Sequence, residues 1–338
     1  MLDQSKRIYV IDYLKAFAII AVILNHSVPY EMKNSFFMVF VLRMAVPIFI
    51  LTSGYNFAKS ISKRDSLLGW YSMPKFAYKI LNLSMPILIV YTIWLVFQRI
   101  SGADLNLWFG IKSFIFAVFG DGSYYFWIVL QMLFIFPLIY AIAIKFQRGG
   151  VLSLIVIDIL IEISLYMFPI PLYIYRICAV RYIALLSMGC YTFIMGDKNI
   201  KTKNLIISFL IGALYLGFYM NFSHIKRIYK YSPWENSNVF SLLYIYPIFY
   251  CIIKKLRYWK LNNVFHKIFG LIGQSTWYIM CLQMMWFWKA HALYMKINTP
   301  LVLQMIMNVF ICCFSGCLIK VLTDKIKADF SAGKIKEK

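Results

Sequence analysis

Charge is what this chain has least of. Only 14% of its 338 residues are charged, and just 13 are acidic, where a soluble domain carries roughly a quarter charged residues. That scarcity excludes a water-covered globule, whose helices would show polar stripes rather than unbroken apolar blocks. No C-x-x-C pair and no Cys/His metal spacing occurs among Cys178, Cys190, Cys251, Cys281, Cys312, Cys313 and Cys317. A zinc module is therefore not expected, and the cysteines read as packing residues within apolar stretches. No small-residue cleavage site follows the first apolar stretch, Ile8 to Val28, which also contains Asp12 and Lys15. It reads as a retained span and not as a removed signal peptide. Linkers, low-complexity tracts and clear internal repeats are missing too, so nothing divides the chain into separate domains.

What fills the chain is hydrocarbon. Hydrophobic residues make up 62% of it, and the mean hydropathy is +0.72. The apolar blocks match the ~20 residues needed to cross ~30 Å of lipid at 1.5 Å per residue. Backbone groups in lipid must be satisfied within the segment, which makes these blocks helices; the alternation of a membrane barrel is absent. Ten spans are expected, near 8–28, 36–58, 80–98, 124–144, 151–168, 173–195, 204–222, 238–253, 273–289 and 301–320. Between the third and fourth, segment 101–123 reads as re-entrant or interfacial. The expected fold is an all-α polytopic membrane bundle over residues 1–320, followed by a short basic tail, 321–338, disordered or lying on anionic lipid.

The net charge of +22 comes from 35 Lys and Arg. No nucleic-acid-binding module accompanies it, and the basic residues sit in short loops, so orientation in a membrane explains the excess and nucleic acid is not expected as a partner. If both termini share a side, that side carries 23 basic residues and the opposite loops carry ten. The bias places both termini in the cytoplasm and the chain in the cell membrane, plasma or inner.

Charged groups inside a span are costly, so each is a site candidate. In the first span Lys15 and His26 lie 11 residues apart, within about 20° of one another after three turns, and Asp12 lies about 40° away. One stripe carries all three, and the rise from Lys15 to His26 is about 16 Å. Asp12 and Lys15 can also simply neutralise each other as an i,i+3 pair, and His26 can be an ordinary interfacial histidine. The second span holds Arg43 and Pro47 and ends Ser53-Gly54-Tyr55. Arg43 needs a partner, which Asp12, Asp158 with Glu162, or an anionic ligand could supply. Gly54 admits close approach of either a ligand or a neighbouring helix. Asp158 and Glu162 are i,i+4 in the fifth span, either balancing Arg43 or lining a cavity. Tyr125 and Trp127 open the fourth span, as a membrane-interface belt or as a cavity wall. Lys59, Lys63, Arg64, Lys75 and Lys79 form a basic cluster suited to phosphate, or serve only to orient the chain.

Taken together, these residues resemble the acyltransferase 3 family, bacterial multi-pass O-acyltransferases acting on surface polysaccharides. The opening Asp12-Tyr-Leu-Lys15 with His26 ten residues further on is similar to the family's Asp-x-x-Arg/Lys and His. Pro47-Ile-Phe49-Ile-Leu-Thr-Ser53-Gly54-Tyr55 resembles its second signature. The Tyr125–Gln131 segment, Arg181-Tyr-Ile-Ala-Leu-Leu-Ser-Met-Gly189 and Gly270-Leu-Ile-Gly273-Gln-Ser275-Thr-Trp-Tyr278 follow in family order. Lys15 stands where Arg is commoner, Gln283 where a His is frequent, and Lys75/Lys79 where an arginine pair is usual.

The resemblance implies transfer of an acyl group, usually acetyl, from cytoplasmic acyl-CoA to a sugar hydroxyl of a cell-surface polysaccharide. It needs no bound cofactor or metal, and acetyl-CoA serves as co-substrate. It implies that His26, Lys15 and Asp12 carry the chemistry, and that Arg43, Ser53, Gly54, Tyr55, Lys75 and Lys79 meet the donor. Tyr125, Trp127, Asp158 and Glu162 would line the cavity or meet the acceptor. The implied partners are acyl-CoA, a glycan, the bilayer and a polysaccharide biosynthesis system. Two other classes fit ten spans with buried charges: a transporter or flippase of a glycan or lipid-linked sugar, and a non-catalytic member of a polysaccharide export complex.

Overall fold

A computed structural model describes residues 8–29, 32, 35–168, 170–196, 200–221, 239–256, 259 and 261–336. Ten basic residues counted in the charge bias lie outside them: Lys6, Arg7, Lys33, Lys198, Lys226, Arg227, Lys230, Arg257, Lys260 and Lys338. The described residues form helices and no strand. In chain order these are α1 (Tyr9–Ser27), α2 (Phe36–Leu42), α3 (Ala45–Ile61), α4 (Lys75–Ile100), α5 (Leu107–Ile115), α6 (Tyr124–Met167), α7 (Leu172–Ile177) and α8 (Ile183–Ile194). They continue with α9 (Thr202–Asn221), α10 (Leu242–Lys255), α11 (Asn263–Phe287), α12 (Ala290–Lys296) and α13 (Leu301–Lys336).

Among the described residues, five helical stretches are long and apolar enough to cross a membrane: Tyr9–Ser27, Phe40–Ile61, Lys75–Ile100, Tyr124–Leu165 and Leu301–Asp329. Two of the expected spans, 124–144 and 151–168, are the arms of α6. Gln147 has φ 47° and ψ −122°, and a Cβ on Gly150 would lie 2.5 Å from the Ile142 carbonyl oxygen. Eight residues of straight helix rise about 12 Å, so the chain turns back on itself there. The expected span 173–195 is broken into α7, a 3-10 turn at Ala179–Tyr182, and α8. The span expected at 36–58 is broken as well, at Arg43–Met44. Pro47 sits in the first turn of α3, where its missing N–H costs nothing, but its ring excludes the helical position of the carbonyl four residues back, that of Arg43. Segment 101–123 holds the short helix α5, capped by Asn106, whose side chain accepts from the Phe109 amide at 2.7 Å. The chain past Lys320, expected to be disordered or to lie on anionic lipid, continues α13 as helix to Lys336.

Apolar side chains coat the outside as well as the core. On α4, Leu81, Met85, Ile89 and Val96 are exposed, and on α13 Val302, Ile306, Phe310 and Phe314 are. Such a belt would be costly in water and is natural against lipid. The centre is built from α1, α3, α8 and α11, joined by backbone-to-backbone crossings. A Cβ on Gly54 would lie 2.2 Å from the Leu186 carbonyl oxygen, and one on Gly189 would lie 2.1 Å from that of Leu51, so α3 and α8 touch reciprocally. A Cβ on Gly273 would lie 2.0 Å from the Asp12 carbonyl oxygen, which presses α11 directly onto α1. Only residues without a side chain permit such contact. Gly54, open in sequence to a ligand or a helix, meets a helix.

Candidate active site

Three helices each turn a stripe of helical spacing toward one space. From α1 come Lys15, Ile19, Val22 and His26; from α3, Val46, Phe49, Thr52, Ser53 and Asn56; from α11, Thr276, Trp277, Met280 and Gln283. Tyr124, Tyr125 and Val129 of α6 close it. The resulting inner chamber has an empty volume of about 810 Å³, counted to its open side. A second, wider space of about 2020 Å³, counted to its open mouth, is lined by Arg43, Arg176, Arg181, Tyr173, Tyr182, Asp121 and Trp288 among others. His26, Val22, Val46, Gly122 and Tyr124 line both. His26 therefore lines both spaces where they adjoin, the smaller being the inner chamber and the larger the vestibule.

Two charged contacts organise the α1 stripe. The Lys15 ammonium lies 3.2 Å from the Asp12 carboxylate, and the backbone of Asp12 is the surface onto which Gly273 presses. At the other end, His26 Nδ1 lies 3.3 Å from Asp121 Oδ2, while the Phe287 ring packs 5.7 Å from the imidazole. An Nδ1–H directed at Asp121 would leave the Nε2 lone pair available as a base. Ser27, next in the chain, accepts from Asn308 Nδ2 at 2.9 Å. Asn308 in turn accepts from Trp286 Nε1 at 2.6 Å and from the Tyr294 hydroxyl at 2.7 Å. One buried amide thus ties α1, α11, α12 and α13 together beside His26.

The residues singled out from sequence divide by place. Asp12, Lys15 and His26 share their stripe, and Ser53 and Tyr125 line the inner chamber with Lys15 and His26. Arg43 lines the vestibule. Gly54 is taken up by the α3–α8 crossing, and Tyr55 packs edge-on against Phe193 at 5.4 Å; neither lines either space. Lys75 is exposed at the start of α4, and the Lys79 ammonium sits 3.2 Å above the Trp70 ring, with the Arg64 guanidinium 5.6 Å from the same ring. Both lysines lie away from the two spaces. Trp127 donates its indole N–H to the Phe114 carbonyl at 3.1 Å and lines neither.

Asp158 and Glu162 are almost wholly buried and also line neither space. Asp158 Oδ2 accepts from the Ala184 amide at 2.8 Å, a carboxylate set at the N-terminus of α8 where the helix dipole favours it. Glu162 accepts from the Tyr175 hydroxyl at 3.0 Å. The Arg181 guanidinium lies 4.2 Å over the Tyr175 ring and 4.8 Å from that of Tyr182, within electrostatic reach of both acids. The acidic pair thus backs Arg181, a vestibule residue.

Asp121 and Asn56 are site residues that the sequence did not point to; Gln283 was noted only as a departure from the family's frequent His, and Thr276 only as part of the closing signature. Asp121 carries a signal in hindsight: it stands between Gly120 and Gly122, and Gly122 has φ +92°, a turn that aims the intervening carboxylate back at the end of α1. Gln283 is wholly buried in the inner-chamber wall, and neither its Nε2 nor its Oε1 has a hydrogen-bond partner among the described residues.

Compared with known proteins, residues 8–325 match the family model described as the acyltransferase domain. No curated protein and no solved structure matches the chain.

Proposed function

The chain belongs to the acyltransferase 3 family, and from that premise we propose that it is a cell-membrane O-acyltransferase moving an acetyl group from acetyl-CoA to a hydroxyl of a cell-surface polysaccharide or related sugar. The acyltransferase class comes with the family; the acetyl donor, the glycan acceptor and the residue roles are this proposal. One observation carries it: His26 lines two adjoining spaces of different character. The inner chamber is the smaller, is mostly apolar and has a cation, Lys15, in its lining. The vestibule is wider and lined by tyrosines, tryptophan and arginines, groups suited to stacking on and hydrogen-bonding a sugar.

In this mechanism the acyl thioester enters the inner chamber and the sugar enters the vestibule. Nε2 of His26 removes the proton of the acceptor hydroxyl as that oxygen attacks the thioester carbonyl carbon. The carbonyl electron pair moves onto oxygen. When the tetrahedral adduct collapses, the carbon–sulfur bond breaks and the proton held on His26 passes to the departing thiolate, leaving an ester and free CoA. Asp121 holds the Nδ1–H and stabilises the transient imidazolium. Lys15, fixed by Asp12, attracts the donor.

The test is transfer of radiolabelled acetyl from acetyl-CoA by purified protein, wild type beside His26→Ala. The wild type is expected to consume label and the variant to lose about 10²–10⁴-fold in rate. Undiminished turnover by His26→Ala would remove the histidine from the chemistry. A wild type that neither binds nor turns over acyl-CoAs of several lengths would remove the donor.

A further inference from the structure

Gln283 is a buried polar group without an evident structural use. It lies one helical turn before Phe287, the ring that packs on His26. A Cβ on Gly122 would lie 3.5 Å from its Nε2, so the amide reaches the turn whose neighbouring residue, Asp121, holds the imidazole. Its exposure is 0%, and both amide atoms lack partners among the described residues. Burying an amide with neither donor nor acceptor satisfied is among the more costly things a fold can do, and native structures rarely leave such groups unused. Around it the chamber is largely hydrocarbon: Ile19, Val22, Phe49, Val129 and Met280.

We infer that Gln283 is a catalytic residue, whose side-chain N–H donates a hydrogen bond to the carbonyl oxygen of the bound acyl group and to the oxyanion this oxygen becomes. The inference rests on the acyltransferase reading of the same site. An adduct formed beside His26 carries its negative charge on that oxygen, and a fixed donor in a low-dielectric pocket is the means of holding it. Lys15 is less suited to the task, since its ammonium is already paired with Asp12 at 3.2 Å. The assignment does not depend on which amide atom is nitrogen, since both are without a hydrogen-bond partner among the described residues. No bond to Gln283 forms or breaks, and its donor leaves when the carbon–sulfur bond breaks and the carbonyl reforms.

The experiment compares Gln283→Leu, Gln283→His and wild type in the acetyl-CoA transfer assay, together with thermal unfolding. Gln283→Leu keeps the volume and removes the unmatched polar atoms. It is expected to unfold no earlier than wild type, to lose about 10²-fold in kcat and to leave KM for acetyl-CoA within about threefold. Gln283→His restores an N–H and is expected to regain at least tenfold of that loss, with the pH–rate profile of Gln283→Leu keeping the wild-type shape. A Gln283→Leu variant within threefold of wild-type kcat overturns the inference while leaving the acyltransferase reading intact. So does a His variant as slow as the Leu variant. A wild type inactive on acyl-CoA overturns both.

Discussion

Asp121→Asn tests how His26 is made into a base. At 3.3 Å two unit charges attract by about 1.3 kcal/mol in bulk water and about 5 kcal/mol at an effective dielectric of 20. The Asp121 side chain is 62% exposed and that of His26 is 20%. The pair therefore lies near the aqueous limit, and its contribution to an imidazolium formed in the transition state is about 0.5–1 kcal/mol. That corresponds to about 2- to 5-fold in kcat, well short of the about 10²–10⁴-fold expected on deleting the base itself. Asparagine keeps an acceptor oxygen for Nδ1–H, so the variant removes charge while leaving the geometry largely in place. The assay is steady-state acetyl transfer at 0.1 M and 1 M salt, over which the Debye length falls from about 10 to about 3 Å. The wild type should lose more rate than the variant on adding salt, and the gap between them should narrow. Unchanged kcat would mean that the carboxylate does not stabilise His26 during turnover. A loss as deep as that of His26→Ala would mean that Asp121 does more than hold the ring.

Three further outcomes follow from the packing around that stripe. Gly273→Ala sets a methyl 2.0 Å from the Asp12 carbonyl oxygen; α1 and α11 must separate, and thermal unfolding in detergent should show about 1–3 kcal/mol of destabilisation. Lys15→Met leaves the largely buried Asp12 carboxylate without its cation and should cost about 1–3 kcal/mol, less than a fully buried pair because Lys15 keeps 23% exposure. The double variant with Asp12→Asn should recover most of that in a double-mutant cycle. Asn308→Ala strands the Trp286 and Tyr294 donors and frees Ser27. It should cost about 2–4 kcal/mol of stability by the same melts and lower kcat as well, since His26 precedes Ser27.

How much of this could be read from the chain alone depended on the range of the interaction. The Asp12–Lys15–His26 stripe was legible because helical periodicity is local: 11 residues return almost to the same bearing. The pairing of Asp12 with Lys15 followed from the i,i+3 spacing for the same reason. Asp121 was not legible, because its contact with His26 joins residues 95 positions apart through a glycine-flanked turn. Nor was the break at Arg43, although Pro47 carried the information: a proline forbids the helical carbonyl four residues before it, whatever the hydropathy. The length of the apolar runs found the helices, but hydropathy could not say where a helix breaks, and α7–α8 and α6 depart from single straight spans for that reason. Asp158 and Glu162 were expected to balance Arg43 or to line a cavity; they line neither space, and their hydrogen-bond partners, the Ala184 amide and Tyr175, lie 26 and 13 residues away.

The glycine crossings carry a mechanical consequence. α3 and α8 are locked by Gly54 and Gly189, and α1 and α11 by Gly273, in contacts so close that neither pair can slide without a backbone collision. Two walls of the chamber are thus paired helices, α1 joined to α11 and α3 backed by α8, with α6 closing it. Any widening to admit a thioester or release an ester falls on the seam between them, where α1 meets α3, and on the tyrosines of α6 that bridge it. Motion there moves Lys15 and His26 together, as one edge of one wall. Their separation along α1 acts as a fixed ruler, and only their distance from Ser53, Val46 and Tyr125 opposite can change.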